Sequence, residues 1–166
     1  LKTVGRVALG DGSFAGGVEA VQEFLLEVVG ISASSVSVRD GSGLSPRNSV
    51  SPGAIVKVLV HMARSPEWEA FLGTLPEAGA RRELGRMYRS AAAGNLWAKT
   101  GTMEEVSALS GLVRTRSGER IVFSVLSNGV ASERRAKRAE DRIGIALSSL
   151  GRPLPSSTPS PPSADR

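Results

Sequence analysis

Early in the chain, apolar residues recur at helical spacing. Val18, Val21, Phe24, Leu25, Val28 and Val29 form one stripe, the pattern of a helix with a single buried face. Ser13 precedes the stripe as an N-cap and Gly30 follows it as a stop. A short run, Val36 to Arg39, reads as β and breaks into the turn-forming Asp40-Gly41-Ser42-Gly43-Leu44. Helical spacing returns in "VSPGAIVKVLVHMARSPEW", with Ser51 as cap and Pro52 in the first helical position. Ser65 and Pro66 repeat that signature for a second, shorter helix. From Leu75 to Gly94 the pattern weakens to loop, one or two helical turns, and loop.

Beyond Asn95 the period changes to that of strands. "NLWAKTGT", "VSALSGLVRT" and "RIVFSVLSNG" predict three strands. Met103-Glu104-Glu105 joins the first pair and Arg116-Ser117-Gly118-Glu119 the second, both of hairpin length. The second and third runs are apolar on both faces, which predicts a sheet with helices on each side. A last helix supplies one cover: Ser132 caps it, Ala136, Ala139, Ile143, Ala146 and Leu150 form its stripe, and Gly151 with Pro153 ends it. The fold class expected is α/β of the α+β type, an antiparallel sheet flanked by helices. One domain spans 1–151, and the Pro/Ser-rich segment 152–166 reads as a disordered tail.

Composition narrows the chemistry. The 166 residues suffice for one domain. With no cysteine, disulfides and thiolate metal sites are excluded, and with a single histidine, His61, a histidine-based triad or metal site would rest on that residue alone. No apolar run reaches membrane-spanning length. Leu1, in place of an initiator methionine, reads as a cut end. The net charge is +5, and basic residues cluster at Arg81, Arg82, Arg86 and Arg89 and at Arg134, Arg135, Lys137, Arg138 and Arg142. Such clusters attract polyanions. Here they contain glutamates at helical spacing and no interleaved aromatic residues, so solvated helix faces are expected and no nucleic-acid partner.

The stretch Leu96 to Thr102, "LWAKTGT", carries the distinctive chemistry. Lys99 and Thr100 offer an ammonium and a hydroxyl that together hold a carboxylate by charge-assisted hydrogen bonds. Gly101 admits a close backbone, and Thr102 offers backbone groups to an extended peptide along the strand. A phosphate-binding loop does not fit, because Ala98 and Ala93 occupy its glycine positions. An exposed lysine and threonine at a strand end remain the plain alternative.

Two longer segments decide between them. Arg39 to Pro52, "RDGSGLSPRNSVSP", and Ala98 to Val113, "AKTGTMEEVSALSGLV", with "LPEAG" (Leu75 to Gly79) between them, closely resemble the D-alanyl-D-alanine carboxypeptidase/endopeptidase family. These are the class C low-molecular-mass penicillin-binding proteins, and the resemblance runs from about Leu1 to Gly129. It implies a serine acyltransferase of the cell envelope, periplasmic or extracellular, that acts on peptidoglycan stem peptides ending in D-Ala-D-Ala, is acylated by β-lactams and uses no metal or organic cofactor. Three motifs carry that chemistry: SxxK, SxN and KTG. By resemblance Lys99 is the catalytic-cleft lysine of KTG, Thr100 binds the terminal carboxylate, Gly101 makes room, and the Thr102 N–H is an oxyanion donor.

The sequence departs from that pattern in two of three motifs. Ala54, Leu96 and Arg134 stand three residues before Lys57, Lys99 and Lys137, and Pro46, Ala93 and Leu126 two before Asn48, Asn95 and Asn128. Neither SxxK nor SxN is present. "LKTVGR" is similar to the text that follows SxN, so the chain is expected to be the C-terminal part of the enzyme, inactive alone, with a sheet unfinished on its N-terminal side. After "LPEAG" the family tends to a DGT-like turn where this chain has Arg81-Arg82-Glu83-Leu84. A stand-alone envelope-binding module and a serine β-lactamase-like protein are the rival readings, the "DGSGLS" loop arguing against the latter. Ser42 has no base, His61 reads as a packed or surface histidine, and Glu104 and Glu105 read as a solvated turn.

Overall fold

The computed structural model describes residues 1–80 and 84–151. The Arg81-Arg82-Glu83 departure and the 152–166 tail lie outside the described residues. Helix α1 (Lys2–Leu9) and α2 (Phe14–Glu23) lead to a small antiparallel ribbon, β1 (Val36–Ser37) with β2 (Ser49–Val50). Helices α3 (Pro52–Ala63) and α4 (Trp68–Leu72) follow. A meander of β3 (Leu96–Met103), β4 (Val106–Arg114) and β5 (Arg120–Asn128) comes next, and α5 (Glu133–Ser148) closes the described chain.

The meander is antiparallel in the order β3-β4-β5, with Leu96 opposite Val113, Thr102 opposite Ser107, and Val113 opposite Ile121. Alternation places Leu96, Ala98, Leu109, Val113, Phe123 and Val125 on one face. These residues form the main core with Ala78, Leu84, Met87 and Ala92, and Ile145 and Leu147 of α5 pack against it. Helix α3 lies against β5 and β4 and takes the other face, where Leu112 is buried. The α+β architecture expected from the pattern is thus the one found.

Several local expectations are corrected. Helix α1 was not anticipated, for it is eight residues long and has no side-chain cap. It forms by packing, not propensity: a Cβ on Gly5 would stand 2.5 Å from the Gly17 nitrogen, so the two helix backbones touch where only hydrogen fits. Ser13 does cap α2, accepting from the Gly16 N–H at 3.0 Å. The expected continuous helix instead changes at Phe24–Val28 to a π turn. Its apolar stripe is shallow, with Val18, Val21 and Leu25 half-buried and Phe24 and Val28 exposed.

The β run expected from Val36 to Arg39 pairs only through Ser37, because Arg39 and Asp40 turn their N–H groups to the Asn48 side chain. Ser51 caps α3 as expected, accepting from Ala54 N–H at 3.1 Å. Ser65 and Pro66 form a turn ahead of α4, whose N-cap position is Glu67. In the meander, Met103 belongs to β3 and the first connection is only Glu104-Glu105, with Glu105 in left-handed geometry at φ 56°.

The larger correction concerns α5. Ser132 occupies the N-cap position but makes no side-chain cap bond. The face turned to the sheet carries Glu140, Gly144 and Ser148, while Ala139, Ile143, Ala146 and Leu150 are exposed and Ala136 is half-buried. Hydrophobic periodicity pointed to the wrong face. The sheet beneath α5 already bears large side chains, so the helix approaches through a glycine: a Cβ on Gly144 would meet the Leu96 Cδ1 at 2.7 Å. No helix among the described residues is long and apolar enough to cross a membrane.

Candidate functional site

Lys99, Thr100, Gly101 and Thr102 all lie on β3, which ends the meander on one side. Its outer edge is occupied at the start. The Ala98 N–H donates to the Pro76 carbonyl at 3.0 Å, the Ala78 N–H donates to the Leu96 carbonyl at 2.8 Å, and Glu77 forms an isolated antiparallel bridge with Trp97. The "LPEAG" segment, noted in the sequence only as text, is therefore a backbone partner of the strand. Gly79 lets it turn away: its φ is 83°, and a Cβ there would sit 2.9 Å from that of Ala93.

Backbone direction alternates along an antiparallel strand. Since Leu96 and Ala98 direct their polar groups outward to Pro76 and Ala78, Thr100 and Thr102 direct theirs outward as well, while Lys99 and Gly101 bond toward β4. Among the described residues, no strand pairs with this edge beyond Ala98. The Lys99 and Thr100 side chains leave the strand on opposite faces, so they come together around its edge rather than side by side on one surface. The Lys99 ammonium does reach that edge, donating to the Thr100 carbonyl oxygen at 3.2 Å. Lys99 and Thr102 are exposed and Thr100 is half-buried. The result is a polar strand edge with outward N–H and C=O groups, a hydroxyl and a cation.

Behind β3, Gly111 of β4 permits unusually close pairing with Ala98. On the Lys99 face, the Arg114 guanidinium stands over the Trp97 ring, 5.4 Å from its centroid. On the other face, Ser107 opposite Thr102 donates to a buried carboxylate, Glu140, at 2.6 Å. Sequence reading missed this contact, because nothing in the spacing of a serine on a strand and a glutamate on a charged helix signals it.

The remaining candidates stand apart from this edge. Ser42 is tied into its own turn: its hydroxyl donates to Asp40 Oδ1 at 3.0 Å and accepts from the Leu44 N–H at 3.0 Å. Asn48 closes the loop, accepting from the Arg39 N–H at 2.7 Å and donating to Asp40 Oδ1 at 3.1 Å. Desolvation by the surrounding loop opposes the charged form of Asp40. Hydrogen bonds from Asn48 and Ser42 and the Arg47 charge together outweigh it and hold the carboxyl below its usual range. His61 packs edge-on against Phe24, ring centroids 5.6 Å apart, and lines a groove of about 560 Å³ between α3 and the residues after α2. Glu104 and Glu105 are exposed in the hairpin turn. Of the basic clusters, Arg86 is engaged with Asp141 at 2.5 Å, and Lys137 pairs with Glu133 on the surface of α5.

Comparison with known proteins places this architecture. The D-alanyl-D-alanine carboxypeptidase of Actinomadura sp. (strain R39) is 36% identical over 135 residues, covering 78% of this chain and 25% of that protein. The carboxypeptidase DacB of Mycolicibacterium smegmatis is 35% identical over 146 residues, covering 84% of this chain and 31% of that protein. Among solved structures, penicillin-binding protein 4 (dacB) of Haemophilus influenzae, complexed with a β-lactam, superposes with a TM-score of 0.70 at 29% identity, over 78% of this chain and 30% of that one. A predatory endopeptidase of Bdellovibrio bacteriovorus, in complex with an immunity protein, shares the fold at a TM-score of 0.65 and 23% identity, over 80% of this chain and 36% of that one. The chain thus spans roughly a quarter to a third of the length of the relatives it matches. The family profile of the D-Ala-D-Ala carboxypeptidase 3 (S13) family matches residues 1–150, and the chain belongs to that family.

Proposed function

We propose that this chain forms the substrate-docking half of a serine-type D-Ala-D-Ala carboxypeptidase/endopeptidase active site that acts on peptidoglycan peptides in the cell envelope. The observation that carries the reading is the outer edge of β3. Its first residues bond to Pro76 and Ala78, and the same edge continues through Thr100 and Thr102 with the Lys99 ammonium wrapped onto it. A peptide laid there as an added strand gains main-chain hydrogen bonds. Its terminal carboxylate meets the Thr100 hydroxyl and the Lys99 charge, a pairing that favours an anion over a neutral chain end. Gly101, with no side chain, leaves the Lys99 face of the strand open to an approaching group. In this reading the outward N–H of Thr102 stabilises the oxyanion that forms when a hydroxyl attacks the scissile carbonyl.

In this reading the attacking serine, its lysine and the SxN pair come from sequence outside these residues, and the reaction needs neither metal nor organic cofactor. β-Lactams, which mimic the acylating peptide, acylate the complete enzyme. The deciding experiment is Thr100→Val in the full-length protein. A hydrogen bond to a charged group contributes about 1.5–3 kcal/mol, so turnover of D-Ala-D-Ala peptides falls about tenfold to a hundredfold while the fold is retained. Unchanged peptidase kinetics in a folded variant would remove Thr100 as the carboxylate anchor, and with it this reading.

A further inference from the structure

Glu140 is the most deeply buried carboxylate among the described residues, 1% exposed, and lies where α5 meets the sheet. Its Oε1 accepts from the Ser107 hydroxyl at 2.6 Å, and Ser107 is itself fully buried. Its Oε2 lies 3.5 Å from Arg86 Nη2, and the same guanidinium donates from Nε to Asp141 at 2.5 Å. Burying a carboxylate is unfavourable unless it is paired and hydrogen-bonded, and an apolar side chain of similar volume would stabilise the fold as well. Net stability therefore does not by itself account for a buried carboxylate here.

Its position bears on the site. Ser107 is the register partner of Thr102. Because Thr102 turns its backbone polar groups outward, the two form a pair without mutual backbone bonds, the class in which Cα atoms lie about 4.5 Å apart and side chains are closer than in bonded pairs. The next residues, Met103 and Val106, already close the hairpin. Among the described residues no strand pairs with the outer edge at this end of β3, which is held from the β4 side alone, whereas the outer edge at its start is held by Pro76 and Ala78.

We propose that Glu140 is a positioning residue which, through Ser107, fixes the Thr102 N–H against α5 and so sets the oxyanion donor; the proposal rests on the peptidase reading above. Arg86 holds the carboxylate's second oxygen, so the chain of contacts runs from the 3₁₀ turn at Gly85–Met87 through α5 to the strand. Misplacing a reacting or stabilising group by about 1 Å costs on the order of a hundredfold in rate.

The test uses the full-length protein with Glu140→Leu, which fills the volume and removes the acceptor, and Glu140→Gln, which keeps an acceptor for Ser107. Glu140→Leu is expected to lower kcat for D-Ala-D-Ala peptides, and the β-lactam acylation rate, by about tenfold to a hundredfold with KM nearly unchanged, because Thr100 still holds the carboxylate. Glu140→Gln is expected to restore kcat to within about threefold of the parent, because its amide oxygen still accepts from the Ser107 hydroxyl. A stable Glu140→Leu with parental kcat overturns the proposal, as does an equal loss in both variants that tracks a lowered Tm. Should Glu140→Leu not fold, Ser107→Ala breaks the same link from the sheet side and carries the same expectation. Thr100→Val is measured alongside: if it too leaves turnover unchanged the site reading fails, and if it alone reduces turnover only the role of Glu140 fails.

Discussion

Gly111 and Ala98 face each other across β4 and β3 so closely that a Cβ on the glycine would lie 2.5 Å from the Ala98 Cα and 2.1 Å from the Trp97 carbonyl oxygen. Both obstacles are backbone of the strand that carries Lys99 to Thr102, so a side chain at 111 cannot be accommodated by rotating a neighbour. Gly111→Ala is expected to destabilise the domain by about 1–3 kcal/mol and to displace β3. Gly144→Ala is the contrast. Its obstacle is the tip of the Leu96 side chain at 2.7 Å, which can rotate, and alanine gains about 1 kcal/mol of helix propensity. Urea unfolding separates the two: equal losses at both positions would show that the strand backbone yields as readily as a leucine tip.

Gly79 controls the other side of the same strand. Its φ of 83° and the 2.9 Å approach to the Ala93 Cβ leave no room for a side chain, and its N–H donates to the Leu84 carbonyl at 3.0 Å. Gly79→Ala should cost about 1–2 kcal/mol for the left-handed conformation alone. The loss should appear locally, as faster amide exchange at Ala98, whose N–H bonds to Pro76. Parental protection at Ala98 would mean that the Pro76–Ala78 segment is held to the edge by something other than this turn.

The Asp40 carboxyl offers a pH-dependent handle on the loop that precedes α3. Its folded value lies below the ordinary 3.8, where desolvation is outweighed by donation from Asn48 and Ser42 and by the Arg47 charge. A lowered folded value means that the unfolded chain binds the proton more readily. The contribution to stability is therefore complete above about pH 4 and is lost as pH falls through the depressed value. An NMR titration of the Asp40 carboxyl carbon should give a midpoint below 3.8, moving up toward it in Asn48→Ala. A midpoint at or above that value would contradict the loop's hydrogen-bond pattern.

What was legible in the sequence follows from where each element draws its stability. The three strands of the meander could be read because short apolar runs lie between turn residues and one face fills the core, and Ser13 and Ser51 could be read as caps because capping is local. Helix α1 could not, since its partner contact is a meeting of glycines that leaves no hydrophobic signature. The buried face of α5 was misassigned for the same reason: Glu140, Gly144 and Ser148 look like a solvent face until the sheet beneath them is known. At the candidate site, Lys99 to Thr102 stood out in the sequence by residue type, and the structure adds their placement on one strand. That Lys99 and Thr100 reach one another only around a strand edge, and that Pro76 to Ala78 set where the edge opens, required the register.

The 166-residue chain is expected to form no acyl-enzyme with a β-lactam. Ring opening needs a hydroxyl whose proton is taken by a base within hydrogen-bond reach, and the lysines, which serve as that base in the resembled family, are placed elsewhere. Lys2 stands over the Phe14 ring at 4.7 Å, Lys57 donates to the Gly30 carbonyl at 2.7 Å, and Lys137 pairs with Glu133. Lys99 donates to the Thr100 carbonyl. Ser42, the serine whose surroundings most resemble a reactive loop, donates a hydrogen bond to Asp40 Oδ1 in a turn. That carboxyl is held well into its ionised form at neutral pH, yet it is a weak base, and the hydroxyl oxygen also accepts from the Leu44 N–H. On the proposed reading the oxyanion hole is also incomplete, because Thr102 would supply one donor and the resembled family takes the second from the backbone of the nucleophile. Each defect acts on the chemical step itself, so the expected covalent signal is none. Intact-mass analysis after incubation with a fluorescent penicillin reads this directly. A stoichiometric adduct on any serine would show a nucleophile within these residues, and Ser42→Ala would then be the first variant to make.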